Sequence, residues 1–245
     1  MNEVALRFDR VGKSYAGVAA LSDLTLEVRR GEFLALVGVN GAGKTTLIKC
    51  LLDFCATDRG RVEIFGASHR VTSARARLAY LPERFNPPYY LTGRNFLEYM
   101  LRLYRAPYDE ARVARMFRAL DLDLAALNRP ARTYSKGMTQ KLGIAACLLS
   151  GKDLYVLDEP AGGLDPKARA MFKRELRELR RSGSTVFLTS HALTDAAELC
   201  DRMAVLHGGQ LRFAGAPDEL MRSCGGTDLE HAFLNCIEAP PGATS

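Results

Sequence analysis

No stretch of this sequence approaches eighteen consecutive apolar residues, so no segment is built to cross a bilayer as a helix. The opening Met1-Asn2-Glu3-Val4-Ala5 lacks the basic and apolar regions of a secretory signal, and the chain is expected to stay in the cytoplasm. C-x-x-C spacing is missing too. The six cysteines (Cys50, Cys55, Cys147, Cys200, Cys224 and Cys236) are scattered, which argues against a zinc site and a disulfide framework. Cys50, Cys147 and Cys200 fall within apolar helical patterns, and reduced, buried thiols are expected. Aromatic and basic residues are not interleaved as single-stranded nucleic acid requires, so no nucleic-acid partner is expected. Internal repeats are absent.

What is there is an ordinary globular balance. The 245 residues are 47% hydrophobic and 25% charged, enough to bury a sizeable core in one large α/β domain or a domain with a smaller lobe. The net charge of +6 is modest. Arg112, Arg115, Arg118, Arg174, Arg177, Arg180 and Arg181 sit on amphipathic helices among acidic neighbours and read as solvated faces, attraction to an anionic membrane being the weaker alternative.

The stretch Gly38-Val39-Asn40-Gly41-Ala42-Gly43-Lys44-Thr45-Thr46 fits G-x-x-x-x-G-K-[ST]. A chance match in a chain of this length is on the order of one in a hundred at average residue frequencies. The context strengthens it. Phe33 to Val37 is an apolar run that predicts a buried strand, and Leu47, Ile48, Leu51 and Leu52 follow at helical spacing. Strand, glycine turn and helix in that order aim backbone N–H groups and a positive helix end at one point suited to phosphates. Lys44 is long enough to reach terminal phosphates, and Thr45 offers a hydroxyl to magnesium.

Along the chain, Val4 to Phe8 and Leu24 to Val28 alternate as half-exposed antiparallel strands, with Ser14-Tyr15-Ala16-Gly17 as a loop between them. Val62 to Phe65 and Leu78 to Leu81 predict further strands. Arg84 to Tyr90, with two prolines and three aromatics, cannot be regular helix. From Leu91 to Leu127 the pattern is helical in two pieces, with Val113, Met116, Phe117 and Leu120 on one face. Ser135 is an N-cap for a helix through Leu149. Strands resume at Leu154 to Leu157 and Thr185 to Thr189. Between them Asp165-Pro166 opens a helix whose inward residues are Ala168, Met171, Phe172, Leu176 and Leu179. Met203 to Leu206 and Leu211 to Phe213 form a hairpin through Gly208-Gly209. The expected fold is α/β: a P-loop NTPase sheet core, an antiparallel β subdomain and an inserted helical lobe. The expected division is a 1–222 domain, with the lobe at about 84–150, and a C-terminal helix with a disordered tail over 223–245.

Leu154-Tyr155-Val156-Leu157-Asp158-Glu159 is the second strong signal. An aspartate ending a buried strand beside a P-loop holds magnesium, and the next carboxylate orients and deprotonates an attacking water. The bland alternative is an acidic turn.

Taken together, these motifs resemble the ATP-binding subunit of an ABC transporter, from about Val4 to Pro217. In the family's order stand the aromatic loop at Tyr15, the P-loop and a Leu-Pro-Glu turn at Glu83. Tyr-Ser-Lys-Gly-Met, Leu-Asp-Glu-Pro, Gly-Leu-Asp-Pro and Thr-Ser-His follow. The resemblance implies that Tyr15 stacks on adenine. It also implies that Gly38, Asn40, Gly41, Ala42, Gly43, Lys44, Thr45 and Thr46 cradle the phosphates of ATP. Thr45, Asp158 and Glu83 would serve Mg2+, Glu159 would be the general base, and His191 would contact the γ-phosphate. Lys44 and Glu83 join the catalytic set. Ser135 and Gly137 would meet ATP held by a second ATPase subunit, identical or merely similar, in a head-to-tail dimer.

Two departures stand out. Lys136 and Met138 replace a glycine and the glutamine of the commoner Leu-Ser-Gly-Gly-Gln, and Lys136 either faces phosphate or points to water. Glu83 stands where most members have glutamine, where a carboxylate reaches magnesium or water but adds negative charge. Both departures resemble the exporter branch that moves drugs, ions, lipids or polysaccharides. The implied function is an ATP-hydrolysing exporter motor, peripheral on the inner face of the cell membrane through an integral permease subunit. Phe85, Tyr89 and Tyr90 are either anchors for that permease or a small satellite core. Alternatives are a soluble ABC ATPase without a transport role, or a nucleotide-dependent regulator, which Glu159 and His191 disfavour.

Overall fold

A computed structural model describes residues 3–239. The strand β1 (Val4–Tyr15) pairs antiparallel with β2 (Val18–Arg29), and β3 (Phe33–Val37) leads into the helix α1 (Lys44–Leu51). Next come β4 (Arg59–Ile64), β5 (Ala67–Ser68), α2 (Thr72–Arg75) and β6 (Leu78–Leu81). A helical stretch follows: α3 (Gly93–Leu103), α4 (Glu110–Ala119), two short 3-10 turns and α5 (Lys136–Leu149). The chain then runs through β7 (Leu154–Leu157), α6 (Pro166–Arg181), β8 (Thr185–Ser190) and α7 (Leu193–Leu199). It closes on β9 (Arg202–His207), β10 (Gln210–Gly215), α8 (Pro217–Cys224) and α9 (Leu229–Glu238).

Two sheets result. One is antiparallel in the order β2-β1-β4-β5. The other has the order β10-β9-β3-β8-β7-β6 and is parallel except for the β9–β10 hairpin. All five residues of β3 are buried because both faces of this sheet are covered. Phe33, Ala35 and Val37 face a core shared with α3 to α7, whereas Leu34 and Leu36 face a second core holding α1 and the antiparallel sheet. The period of two therefore sorts one strand into two cores.

Four parallel strands end on the same sheet edge. Val37 pairs with Ser190, Leu157 with Leu188 and Leu81 with Leu157. The segments that follow β3, β6, β7 and β8 thus start from one line, the edge where open α/β sheets bind ligands.

Several elements differ from the sequence reading. β1 does not stop at Phe8: Arg10 adopts φ 50°, and the register shifts between Phe8 and Val11, so a bulge carries the strand on. Tyr15 pairs with Val18 and is the last strand residue, which leaves only Ala16-Gly17 (φ 48° and 81°) as the turn. Phe65 likewise leaves its strand for a two-residue turn with Gly66, and its ring lies 3.7 Å from the Arg77 guanidinium. The tail from Glu238 lies outside the described residues except for Glu238 and Ala239.

Phe85, Tyr89 and Tyr90 divide. Phe85 packs edge-on against Phe96 with centroids 5.4 Å apart, while Tyr89 and Tyr90 are 69% and 67% exposed. The basic side chains of α6 are partly spoken for. Lys173 pairs with Asp195 at 2.7 Å, and Arg177 pairs with Glu198. Of the cysteines, all free, Cys55 and Cys224 are half-buried rather than buried. Among the described residues no helix is long and apolar enough to cross a membrane.

Candidate nucleotide site

The turn from β3 to α1 has the tightest backbone demands. A Cβ at Gly38 would stand 2.3 Å from the Leu206 carbonyl oxygen, and one at Gly43 would stand 2.6 Å from that of Ala20. Gly43 also adopts φ 111°, which other residues rarely accept. The neighbouring hairpin locks this turn, since the Gly209 N–H donates to the Ala42 carbonyl at 3.1 Å. Lys44 begins α1 and is buried. Its ammonium donates to the Gly38 carbonyl at 2.6 Å and the Val39 carbonyl at 3.3 Å, and stands 3.9 Å from Glu159 Oε1. Thr45 and Thr46, on the same first turn, face the open side.

Asp158 and Glu159 follow β7. Asp158 is only 2% exposed, and its Oδ1 accepts the Thr189 hydroxyl at 2.6 Å. Burial raises the Asp158 pKa, and the charges of Glu83 and Glu159 push the same way; Thr189 and Lys44 oppose them. Thr189 works in both directions, because its oxygen also accepts the Glu159 N–H at 2.9 Å. Glu159 takes φ 47°, a strained conformation for glutamate held by this bond on one side and His191 on the other. His191 Nδ1 lies 2.8 Å from Glu159 Oε2, and the His191 backbone N–H donates to the same oxygen at 3.3 Å.

These groups line one cleft of about 1100 Å³. Asn40 to Thr46, Glu83, Asp158, Glu159 and His191 all border it, and Gly38 lies just behind as a wall. Tyr15 does not border it. That side chain is 46% exposed on the hairpin beside the C-terminal end of α1, where its hydroxyl donates to Cys55 Sγ at 3.5 Å.

Ser135 caps α5, its hydroxyl accepting the Met138 N–H at 3.2 Å. Ser135 and Gly137 stand off the cleft, while Tyr134, Lys136, Thr139 and Gln140 line its far wall. The stem of Lys136 lies over Gly163, so that a Cβ there would meet Lys136 Cε at 3.2 Å.

Sequence reasoning missed Thr189 as a brace, and Gln140, whose buried amide donates to the Pro160 carbonyl at 3.1 Å. It also missed Ala20. Thr189 had one available signal, its place at the end of an apolar strand run; Gln140 and Ala20 had none. No group of three or more His, Cys, Asp or Glu side chains able to hold a metal occurs among the described residues. Asp158 with the Thr45 hydroxyl offers hard oxygen donors of the kind magnesium takes when phosphates and water complete its shell.

Comparison with known proteins agrees with this geometry. The family model described as ABC transporter matches residues 21–162. An uncharacterized ABC transporter ATP-binding protein of Nostoc sp. is 37% identical over 212 residues, covering 84% of this chain. The chain spans 62% of that relative's length. The Nod factor export ATP-binding protein I of Paraburkholderia xenovorans is 35% identical over 237 residues, which is 95% of this chain and 78% of that protein. A solved structure described as the ATP-binding subunit of an ABC transporter superposes with a TM-score of 0.84 at 30% identity, covering 96% of this chain and 100% of its own. On these matches this chain belongs to the ABC transporter family as one of its ATP-binding domains.

Proposed function

We propose that this chain hydrolyses ATP and drives an exporter whose membrane-spanning part is carried by separate subunits. The observation that carries the reading is the placement of Glu159. One oxygen accepts the His191 backbone N–H at 3.3 Å and lies 2.8 Å from Nδ1 of the same residue, and the other faces the Lys44 ammonium at 3.9 Å. A carboxylate fixed at one oxygen and free at the other is arranged to take a proton from water beside a phosphate. The loop N–H groups and Lys44 would bind the β- and γ-phosphates, with charge stabilisation and positioning supplying most of the catalysis.

Mg2+ fits the donors present, and when bound it neutralises charge on the phosphates. Asp158 would hold it, or its water, through the oxygen that Thr189 leaves free, and the Thr45 hydroxyl would be a second donor. Tyr15 is assigned to adenine. The exposed Ser135-capped end of α5 is assigned to the γ-phosphate on a second ATPase subunit, so ATP would join two subunits. Export as the direction is supported by the Nod factor export relative and by the two motif departures, Lys136 with Met138 in the signature and Glu83 in the Leu-Pro-Glu turn. The exposed Tyr89 and Tyr90 are the anchors assigned to the permease, which would hold the chain at the inner face of the cell membrane.

Replacing Glu159 by Gln tests the reading. The variant is expected to bind ATP, lose turnover and elute as a dimer by light scattering. A strictly monomeric variant under saturating ATP would contradict the assigned mechanism.

A further inference from the structure

Cys50 and Cys55 bring two sulfurs to 3.6 Å in an otherwise thiol-poor part of the molecule. Cys50 lies on the buried side of α1, the helix that opens at Lys44. Cys55 is half-buried in the turn just beyond it, with its N–H directed at the Lys49 carbonyl. The same sulfur accepts the Tyr15 hydroxyl at 3.5 Å. Asp58 ties the hairpin to this turn independently, accepting the Ser14 N–H at 2.7 Å and the Lys13 ammonium at 2.9 Å. One thiol pair therefore joins the far end of the phosphate-loop helix to the aromatic of the hairpin.

We propose that Cys50 and Cys55 form a peroxide-oxidisable dithiol, and that their disulfide releases Tyr15 and weakens nucleotide binding. The second half rests on the assignment of Tyr15 to adenine; the first does not. Cys55, the more exposed thiol, meets the oxidant. Its thiolate attacks one oxygen of hydrogen peroxide, the O–O bond breaks and hydroxide leaves, giving a sulfenic acid. Cys50 sulfur then attacks Cys55 sulfur, the S–O bond breaks, and the sulfenic OH departs as water with the Cys50 proton. Two thiols are oxidised, and one peroxide is reduced to two waters once the hydroxide regains a proton. Burial pushes the Cys50 thiol up to about 12, with the adjoining Cys55 sulfur adding and the Lys13 charge opposing, so peroxide oxidises Cys55 first and Cys50, its sulfur 3.6 Å away, is the partner placed to resolve it. Closing the sulfurs from 3.6 Å to a bond of about 2 Å draws Cys55 off the Tyr15 hydroxyl.

Trypsin reads this directly, because cleavage after Lys49 and after Arg59 leaves both cysteines in one peptide, residues 50–59. Full-length protein is treated with hydrogen peroxide, alkylated and digested. The expected peptide is unalkylated and about 2 Da lighter than its reduced form. In parallel, binding of a fluorescent ATP analogue is expected to weaken about fivefold and to recover with dithiothreitol. Cys55→Ser, and separately Cys50→Ala, should abolish both responses. A peptide that gains oxygen at Cys55 while Cys50 still alkylates overturns the dithiol. A disulfide that forms without changing analogue affinity overturns the coupling. If Tyr15→Ala leaves affinity unchanged, the adenine assignment fails by itself, and the lost 2 Da still reports on the thiols.

Discussion

His191 brings two nitrogens to the single oxygen Glu159 Oε2: its backbone N–H donates at 3.3 Å, and its ring Nδ1 lies 2.8 Å away. Oε1 is left facing Lys44. These contacts leave Glu159 one open oxygen, as the proposed role of general base requires. His191→Ala is therefore expected to lower the kcat for ATP about 100-fold with little change in KM, and Glu159→Gln to cost more. The double variant should lose no more than Glu159→Gln alone, because the two act as one unit. Steady-state ATPase kinetics on the three proteins checks this. Multiplying losses would separate His191 from Glu159.

Thr189 carries two bonds that nothing else in the site replaces, from its hydroxyl to Asp158 and from the Glu159 N–H to its oxygen. Thr189→Val keeps the shape and strands a buried carboxylate oxygen and a backbone N–H. A loss of about 2 kcal/mol in unfolding free energy is expected, and Thr189→Ser should recover most of it. Urea denaturation of both variants provides the measurement. Destabilisation by Ser with little change in Val would locate the effect in the methyl group instead.

These two clamps show what a sequence can reveal and what it cannot. The glycine turn, the Asp-Glu pair and Ser135 were legible because backbone geometry restricts residue type: a Cβ at Gly38 or Gly43 strikes a carbonyl oxygen. The strands β3, β6, β7 and β8 were legible as short apolar runs punctuated by turn residues, whereas the shared edge of their ends is set by pairing across the sheet. Thr189 and Gln140 were not legible. Their roles depend on which strand lies beside β7 and which helix beside Pro160, pairings set by tertiary packing across 30 and 20 residues of chain. The same reason hid the fate of Phe85. Its proline-rich neighbours excluded helix, but only the position of Phe96 decides that its half-buried ring packs against the core.

Asp158 titrates high chiefly because it is buried, and the Glu83 charge adds to the shift. A carboxyl with a raised folded value holds its proton to higher pH than in the unfolded chain. Stability therefore falls as pH climbs from the ordinary aspartate value through the raised one, and the ionised form needed for a cation is lost early on acidification. Glu83→Gln removes one like charge, so the acid limb of the ATPase pH profile is expected to move to lower pH. ATP affinity at neutral pH should change less than coupling to the permease. A pH–rate comparison of the two proteins settles the direction; a limb that moves upward contradicts the charge argument.

Phe85 and the Tyr89–Tyr90 pair offer the sharpest contrast between packing and docking. The Phe85 ring sits edge-on to Phe96 and covers Gly143, where a Cβ would come within 2.8 Å of it. Removing that half-buried ring strips packing from the margin of the core, and Phe85→Ala is expected to cost about 2 kcal/mol. Tyr89 and Tyr90 stack edge-to-face on each other, 5.5 Å between centroids, and spend most of their surface on solvent. A pair of exposed rings held in fixed register contributes little to folding and suits a partner surface. Tyr89→Ala with Tyr90→Ala should therefore leave the melting temperature and basal ATPase rate nearly unchanged. It should reduce ATPase activity once the chain is reconstituted with the membrane subunit proposed for it. Thermal melts and the reconstituted ATPase rate measure both halves. A double variant that unfolds like Phe85→Ala would return the tyrosines to the core, whereas unchanged activity in the reconstituted system would leave the permease to dock elsewhere.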